Sequence, residues 1–390
     1  MPVNLRQVTG KHLHRAFMHL PSRLYRNDPL WIPHLKQDLE KVFDPKRNRL
    51  FKSGDFARWV LFDDNDKPIG RVAAFFDAKT AGTWSQPTGG IGFFECINDQ
   101  RAANMLFDAC KDWLGKNGME AMDGPINFGE RNMFWGLLAK NFDEPPAYGM
   151  NHNPPYYVQL FENYGFQIFY EQWMYHRAMY EAEPVVFEKS ERLLAQHPKA
   201  RVTSARKMTI EEMAGAFEEV FNAAWGNHEG VGRVTFERAY KVIRSIRQVM
   251  DPDIILYAWD GDRPIGFYLN LPELNQIFRY VPKGNLNWLG KLIFLWHKWR
   301  HTPDRMYGVI FGVVPEYQGK GVESLMVRYA SEHVLPLSRY KDTILAWVGD
   351  FNVKMIRVCE NLGAKVFRVY HTYRYLFDRT KPFERHRVIT

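Results

Sequence analysis

The sequence is poor in cysteine, with three in 390 residues, at Cys96, Cys110 and Cys359. They form no CxxC motif and no even-numbered disulfide framework. This excludes a small scaffold held together by disulfides and is typical of a protein kept in a reducing compartment. We therefore expect a cytoplasmic protein.

Long apolar segments are also missing. The N-terminal residues MPVNLRQVTGKHLHRAF contain no apolar signal core. The longest apolar stretch, 288–299, is interrupted by Lys291, His297 and Lys298. It is too short and too charged to cross a bilayer, so we expect neither a secretion signal nor a transmembrane helix.

Neither common nucleotide-binding motif is intact. Residues 313–326 read VVPEYQGKGVESLM. A Walker-type loop would need a glycine in place of Val314 and a hydroxyl in place of Gly321. A dinucleotide fingerprint fails at Ser324, where its third glycine should stand. The two glycines around Lys320 therefore need another explanation.

The composition allows large cores, since 46% of the residues are hydrophobic and 15% are aromatic. The length favours two or three domains. The net charge is +8, and six basic residues against one acid lie between Arg279 and Arg305. That segment is either a solvated basic face or a surface for an anionic partner. It carries no nucleic-acid-binding motif, so a nucleic-acid partner is not expected.

An internal repeat organises the chain. The segment RWVLFDDNDKPIGRVAAFF (58–76) resembles DIILYAWDGDRPIGFYLNL (253–271), and Gly70 and Gly266 are 196 residues apart (266 minus 70). A second pair, 161–179 and 359–377, places Gly165 and Gly363 198 residues apart (363 minus 165). Two segments with nearly the same offset favour duplication of one domain over chance similarity.

Each copy runs from helices to a hairpin, then to a strand, a long helix, another strand, a helix and a final strand. In the second copy we predict a helix over 209–224, strands over 306–314, 344–348 and 365–375, and helices over 321–334 and 353–362. This order indicates an α/β fold with a mixed sheet flanked by helices. We predict two domains, 1–185 and 186–390, with a linker within 181–207.

The glycine turn of the second copy lies between a strand and a helix. Pro315 cannot continue a strand ladder, and the apolar positions from Val322 onward repeat at helical spacing. The turn therefore leads into a helix N-terminus, whose free N–H groups can bind an anion. A plain strand-to-helix turn with two glycines is the alternative.

In its context, Val-x-Pro-x-x-Gln-x-x-Gly resembles motif A of the GNAT superfamily of acyl-CoA N-acyltransferases. The resemblance implies that turn amides hold the coenzyme A pyrophosphate, and that the end of the preceding strand holds the pantetheine arm. The implied pyrophosphate residues are Gln318, Gly319, Lys320, Gly321, Val322, Glu323 and Ser324. The implied pantetheine residues are Phe311, Val313, Val314 and, after the next strand, Asn352. The whole chain is similar to two-domain bacterial proteins of this fold.

Two positions depart from the family pattern. Glu323 stands where the family usually has glycine or alanine, and a carboxylate near a pyrophosphate is unfavourable. Cys359 stands where a tyrosine often protonates the departing thiolate. Cys359 is therefore a candidate proton donor or a packing residue, and Tyr317 is a replacement candidate.

The first copy lacks the glycine turn, because Asn98, Asp99 and Gln100 occupy its place. Asp99 is a good helix cap and a poor phosphate neighbour. We expect only the second copy to bind acyl-CoA. The long loop 127–157 of the first copy is predicted either to shape an acceptor site or to pack between the copies.

Direct acyl transfer needs a base to take a proton from the amine. The candidates are Glu273, after the third strand of the second copy, and Glu229 in an early loop; we favour Glu273. The segment 288–300 is amphipathic, and packing on the sheet is favoured over contact with a membrane or an acyl chain. His297, His301 and Asp304 are too few for a metal site, so no metal is expected.

The sequence thus predicts an acyl-CoA-dependent N-acyltransferase that transfers acetyl or a longer acyl group to a small-molecule or peptide amine in a ternary complex. A catalytically inactive CoA-binding or regulatory protein of the same fold is the alternative. The acceptor, the acyl length and the oligomeric state stay open.

Overall fold

The structure, a computed structural model, describes residues 3–83, 85–178, 184–226, 232–337 and 339–388. Thirteen strands in these ranges join into one mixed sheet flanked by helices. The strands are β1 Asn4–Gln7, β2 Gly54–Phe62, β3 Pro68–Asp77, β4 Thr88–Cys96, β5 Ala121–Gly124, β6 Leu137–Lys140, β7 Gln167–Ala178, β8 Ala200–Ser204, β9 Ile255–Asp260, β10 Arg263–Pro272, β11 Arg305–Val313, β12 Asp342–Gly349 and β13 Lys365–Leu376. The helices are α1 Lys11–Leu24, α2 Lys36–Val42, α3 Ala78–Ala81, α4 Gln100–Lys116, α5 Tyr156–Tyr164, α6 Pro184–Gln196, α7 Ile210–Trp225, α8 Phe236–Ile246, α9 Asn275–Phe278, α10 Trp288–Trp299, α11 Val322–Tyr329 and α12 Val353–Asn361.

The predicted duplication is confirmed by the strand topology. In the first copy β1, β2, β3 and β4 are antiparallel neighbours, and β4 is parallel to β5. In the second copy β8, β9, β10 and β11 repeat this arrangement, and β11 is parallel to β12. The repeated glycines keep the same register, since Gly70 faces Cys96 and Gly266 faces Val313.

The two copies exchange their last strands. β7 ends the first copy but pairs with β12 of the second, while β13 ends the second copy and pairs with β5 of the first. β7 and β13 also pair with each other. Neither copy completes its sheet with its own last strand, which the sequence analysis did not foresee.

Most of the range 181–207, within which the linker was predicted, has regular secondary structure. Residues 181–183 lie outside the described ranges, but 184–196 form α6 and 200–204 form β8. α6 packs against the start of α11 so closely that a Cβ added at Gly321 would lie 2.6 Å from the Lys189 carbonyl oxygen. The segment is therefore part of the second copy's core rather than a spacer.

Three predicted helices of the second copy are present, since 209–224 corresponds to α7, 321–334 begins with α11 and 353–362 corresponds to α12, whereas α6 and α8 were not predicted. α7 begins after Thr209, whose hydroxyl accepts from the Glu212 backbone N–H, while the Glu212 carboxylate accepts from the Thr209 N–H. This reciprocal capping satisfies two N–H groups that the helix itself cannot. Met213 and Val220 of α7 are buried in the core that covers β9 and β10.

α10 contradicts the prediction that residues 288–300 pack on the sheet. Only Gly290 of this helix is buried, while Trp288 and Trp299 are 73% and 71% exposed. Ile293 and Phe294 alone turn inward, onto a small apolar cluster between the copies. None of the helices in the described ranges is long and apolar enough to cross a membrane.

Candidate functional site

The parallel strands β11 and β12 separate partway along their length. They pair from Arg305 to Gly308, and in the described ranges no strand pairs with residues 309–313 on that side. On the other side, Val314 donates its N–H to the Ile265 carbonyl (3.0 Å). Successive residues of a strand direct their backbone N–H and C=O groups to opposite sides. Val313 and Phe311 therefore direct their N–H and C=O groups into the opening.

The glycine turn stands at the outer end of this opening. Gly319 and Gly321 adopt left-handed φ angles of 72° and 102°, which glycine tolerates best. α11 then begins with no side-chain cap. Its first N–H groups, at 322–324, have no carbonyl within the helix to accept them, so they are available to an anion.

Only some side chains of the turn are free to bind an anion in the way that the resemblance implied for residues 318–324. Lys320 is exposed, with Nζ 5.2 Å from the Tyr317 ring centre. Gln318 was predicted to donate to the pyrophosphate, but its Nε2 donates to the Val313 carbonyl (3.1 Å). Glu323 is half-buried in the first turn of α11, and Ser324 is buried. Backbone amides and Lys320 are thus the available groups for an anion.

Asn352 begins α12, just after β12. Its Oδ1 accepts from the Met355 N–H (3.1 Å), which makes it a helix cap. Since β11 and β12 are parallel, the residues that follow them lie at the same edge of the sheet. Asn352 therefore lies on the glycine-turn side of the opening, and its side-chain oxygen already accepts a hydrogen bond. Its contact with the pantetheine arm stays a prediction.

Both predicted proton donors are engaged elsewhere. The Tyr317 hydroxyl donates to Asp260 (2.7 Å), and this hydrogen bond raises the pKa of Tyr317. Cys359 is fully buried among apolar side chains with Tyr175 and Val348, and burial raises the pKa of its thiol to about 12. Their roles as acids stay predictions.

A third hydroxyl, that of Tyr268, lies at the inner end of the opening and was not among the predicted site residues. A Cβ added at Gly308 would lie 3.1 Å from the Tyr268 hydroxyl and 3.3 Å from Asn270 Oδ1. Gly308 is the last β11 residue that pairs with β12. Burial raises the pKa of Tyr268 to about 12. Its position in the repeated hairpin was the only sequence signal for it.

Glu273, the favoured base, is a buried carboxylate between the copies. Its Oε1 accepts from the N–H groups of Tyr148 (3.0 Å) and Asn275 (2.8 Å), while Oε2 is buried and has no partner among the described residues. Burial raises its pKa to about 7. Its N–H donates to the Arg305 carbonyl (2.9 Å), so it lies at the end of β11 opposite the glycine turn. Glu229, the other candidate, lies outside the described residues.

The first copy places a carboxylate where the second has its glycine turn. Asp99 caps α4, and its Oδ1 accepts from the N–H groups of Arg101 (2.8 Å) and Ala102 (3.1 Å). These donors are therefore not available to a phosphate. The loop 127–157 contacts the second copy at Glu273 and through the Pro146 carbonyl, which is compatible with either predicted role.

The three residues considered for a metal are held apart by other partners. His297 bonds to Thr302 (2.9 Å), His301 to Arg339 (2.8 Å), and Asp304 to Gln276 and Lys341. Across the described ranges, no group of three or more His, Cys, Asp or Glu residues is arranged to hold a metal ion.

Two curated proteins are similar to this chain along nearly its whole length. One, named bacterial ceramide synthase, from Caulobacter vibrioides, is 25% identical over 369 residues, which cover 92% of this chain and 94% of that protein. Protein YghO of Escherichia coli is 24% identical over 377 residues, covering 95% and 94%. No family model matches the sequence.

Among solved structures, one similar chain is a fungal multi-domain β-N-acetylglucosaminidase with a GCN5-related glucosamine N-acetyltransferase region. The superposition has a TM-score of 0.51 at 13% identity and covers 96% of this chain. This chain spans only 38% of that protein's length. At this identity the likeness concerns the fold alone.

Proposed function

We propose that this chain, which has the GNAT fold in two copies, transfers an acyl group from coenzyme A to an amine. One observation carries the proposal: the opening between β11 and β12 leads to an uncapped helix N-terminus behind two glycines. A long ligand with an anionic end fits such a groove, because strand amides can hold its arm and helix amides its phosphates.

In this proposal the pyrophosphate lies at the turn 319–324, with Lys320 as the nearby cation. The pantetheine arm follows β11 inward, held by the backbone groups of Val313 and Phe311. The thioester then lies in the opening next to Gly308, the last β11 residue that pairs with β12, close to the Tyr268 hydroxyl. Glu323 must turn away from the phosphates, since like charges repel.

In the reaction the amine nitrogen attacks the thioester carbonyl, so that a C–N bond forms and the C–S bond breaks. The amine loses a proton and the departing thiolate gains one. We assign the second step to Tyr268, which lies at Gly308, ahead of Tyr317 and Cys359. We keep Glu273 as the proton acceptor. It is about 10 Å along β11 from Gly308, at 3.3 Å per residue, so ordered water would relay the proton.

We further propose that the acceptor is a long-chain amine. A protein 25% identical to this chain is named a ceramide synthase, and a ceramide is the N-acyl amide of a long-chain amino alcohol. Such an acceptor resides in membranes, so the enzyme needs a surface that meets them.

α10 provides that surface. It exposes six large apolar side chains: Trp288, Leu289, Leu292, Leu295, Trp296 and Trp299. The segment 279–303 contains five Lys and Arg residues and no Asp or Glu. Tryptophans with flanking cations are typical of helices that lie in the interface of an anionic membrane. We propose that α10 docks there as a peripheral contact.

The test measures thiol release from acyl-CoAs of increasing chain length, with long-chain and short amines as acceptors. Lys320→Glu should weaken acyl-CoA binding by about tenfold or more, because it reverses a charge beside the phosphates. Arg101→Glu, beside the corresponding helix start of the first copy, is the matched control and should leave binding unchanged. Equal effects of the two variants, or no binding of any acyl-CoA, would refute the proposal.

A second candidate is a CoA-binding protein without turnover. It is favoured by the engaged Gln318 amide and by Glu323 in the first turn of α11. This second candidate predicts acyl-CoA binding that depends on Lys320. It also predicts no thiol release with any of the acyl-CoAs and amines tested.

A further inference from the structure

The first copy holds a cavity that acyl transfer in the second copy does not use. Its volume is about 90 Å³, enough for a small polar molecule or several waters. α1, β3, β4, the segment 31–39 and the segment 151–153 contribute to its walls. Two of its charged side chains, Arg71 and Glu95, are buried, which requires an explanation because buried charge is unfavourable unless it is well paired.

Glu95 is the anionic wall of this cavity. Its Oε2 accepts from the hydroxyls of Tyr25 (2.5 Å) and Tyr157 (2.9 Å), and its Oε1 lies 3.4 Å from Arg71 Nη2. All four side chains are buried. Arg71 Nε is also buried and has no partner within the described residues, so the group retains an unused donor.

The duplication shows that the fold does not need this ion pair. Arg71 and Phe267 each follow one of the matched glycines, Gly70 and Gly266. Arg71 faces Glu95 across β3 and β4, and Phe267 faces Gly312 across β10 and β11. The second copy therefore forms the same pair of strands with phenylalanine in place of Arg71 and glycine in place of Glu95. The charges of the first copy are an addition to the shared fold.

His152 is the second polar wall. Its side chain is 6% exposed, and its Nε2 lies 2.6 Å from Asp28 Oδ2. Its Nδ1 is buried without a partner in the described ranges. Because the Asp28 carboxylate accepts the proton on Nε2, the neutral ring presents a lone pair at Nδ1. Tyr25 joins the two walls, with its hydroxyl 3.3 Å from the His152 carbonyl oxygen.

The cavity has a basic rim contributed by both copies. His19 and Lys36 of the first copy and Lys283 of the second line it and are exposed. Lys283 precedes the exposed helix α10 by five residues (288 minus 283). A ligand whose polar group enters the cavity could therefore leave an apolar tail beside α10.

We infer that this cavity is a binding site for a small amino alcohol, either free or as the polar head of a long-chain amine. The ammonium group donates to Glu95 and to His152 Nδ1, and a hydroxyl oxygen accepts from Arg71 Nε. These atoms supply two acceptors and one donor, which is the complement of that ligand. The aromatic walls Phe93 and Phe134 contact its carbon atoms.

The site is separate from the acyl-CoA opening. The strands β5, β13, β7 and β12 lie between β4, which lines the cavity, and β11, which lines the opening. Binding in the cavity can therefore be measured without acyl-CoA, and its outcome does not depend on the proposed transfer.

The experiment is calorimetric titration of the full chain with serinol, a small amino diol, and with a long-chain amino diol in detergent micelles. Propylamine and glycerol, which each lack one of the two groups, should bind at least about tenfold more weakly than serinol. Binding of serinol identifies a free amino alcohol as a ligand. Binding of the long-chain compound alone identifies the head of a long-chain amine.

Glu95→Gln and His152→Phe should each weaken binding by about tenfold or more. His197→Phe, in a His–Asp pair of the second copy at Asp260 (3.0 Å), is the matched control and should not. The double variant Arg71→Phe with Glu95→Gly introduces the residues of the second copy, and should melt near the native temperature while losing binding. If that double variant unfolds, the binding measured for Glu95→Gln and His152→Phe tests the inference. No binding of either amino diol, or binding unchanged in both single variants, overturns the inference.

Discussion

Arg374 of β13 donates both Nε and Nη2 to the carboxylate of Asp123 on β5, at 2.7 and 2.8 Å. The two residues are 251 positions apart and belong to different copies. Both are buried, and the guanidinium lies 3.6 Å from the centre of the Phe169 ring. This two-point ion pair anchors the exchanged last strand of the second copy in the sheet of the first.

Replacing Arg374 by methionine should destabilise the whole chain by about 3–5 kcal/mol, because it leaves the Asp123 carboxylate buried without its partner. Urea unfolding measures the change. Arg379→Met, at an exposed arginine, should change the free energy of unfolding by less than about 1 kcal/mol. A double variant that also neutralises Asp123 should recover part of the loss. An Arg374→Met effect no larger than the control would contradict the anchoring role.

Separating the copies should expose the strand exchange directly. A fragment of residues 1–183 would lack β13, and a fragment of 184–390 would lack β7. We expect each fragment alone to be sensitive to limited proteolysis and the two expressed together to copurify as a protected complex. The two-domain boundary at 185 stays a prediction, and a stable 186–390 fragment that binds acyl-CoA alone would support independent domains instead.

Glu273 should make stability depend on pH. Burial raises its pKa to about 7, above the ordinary 4.5, so the folded protein prefers the protonated form. The associated stability is fully present below pH 4.5 and is lost as the pH rises through 7, a change of about 3 kcal/mol. The gain in stability of Glu273→Gln over the native chain should therefore grow between pH 5 and pH 8 in urea unfolding.

The same variant tests Glu273 as a proton acceptor. If it takes the proton of the amine, acyl transfer by the native chain should rise with pH through about 7, because only the ionised carboxylate can act as a base. In Glu273→Gln the rate should fall and this rise should disappear. A Gln variant with native rate and pH profile would leave Glu273 a structural residue between the copies.

Tyr268→Phe removes one hydroxyl at the inner end of the opening. As the proposed acid, its loss should slow thiol release by about a hundredfold or more while acyl-CoA binding stays unchanged. Tyr317→Phe and Cys359→Ser serve as comparisons. The first should lower stability through the lost hydrogen bond to Asp260, with the rate maintained. A normal rate in Tyr268→Phe together with a slow Tyr317→Phe would reverse the assignment.

α10 should bind membranes through its exposed tryptophans. Replacing Trp288, Trp296 and Trp299 by serine should abolish cosedimentation with anionic vesicles and leave the melting temperature nearly unchanged, since these side chains are exposed. Native binding should weaken with salt and with zwitterionic lipid, because the flanking cations contribute. Val242→Ser, at an exposed residue of α8, is the control. Equal vesicle binding by the triple variant would refute the docking surface.

Local chemistry made several parts of the molecule predictable. The helix predicted over 209–224 is present as α7, and the structure adds that Thr209 and Glu212 cap its start. Pro315 and the two glycines predict the turn before α11, and the apolar spacing after Val322 predicts the helix that follows. The structure ends α11 earlier than predicted, at Tyr329, and continues it as a π-helical turn over Ala330–Val334. Each of these signals involves residues that are close together in the sequence.

The positions of the candidate chemical groups were less predictable, because they depend on contacts between distant segments. Tyr268 is significant only because its hydroxyl reaches Gly308 where two strands separate. Glu273 has a raised pKa because it is buried between the two copies. α10 was expected to pack on the sheet as an amphipathic segment, but the neighbouring elements cover mainly Gly290, Ile293 and Phe294.

By itself the sequence determined the duplication, the order of elements that the two copies share, and the glycine turn, because these follow from the repeated segments, local periodicity and turn chemistry. Only the tertiary structure decided that β7 and β13 change places, that Arg374 meets Asp123, and that the first copy encloses a charged cavity. The physical reason is that strand partners and burial are chosen by complementarity over the whole sheet. The pairs that form lie too far apart in the chain for any local pattern to record them.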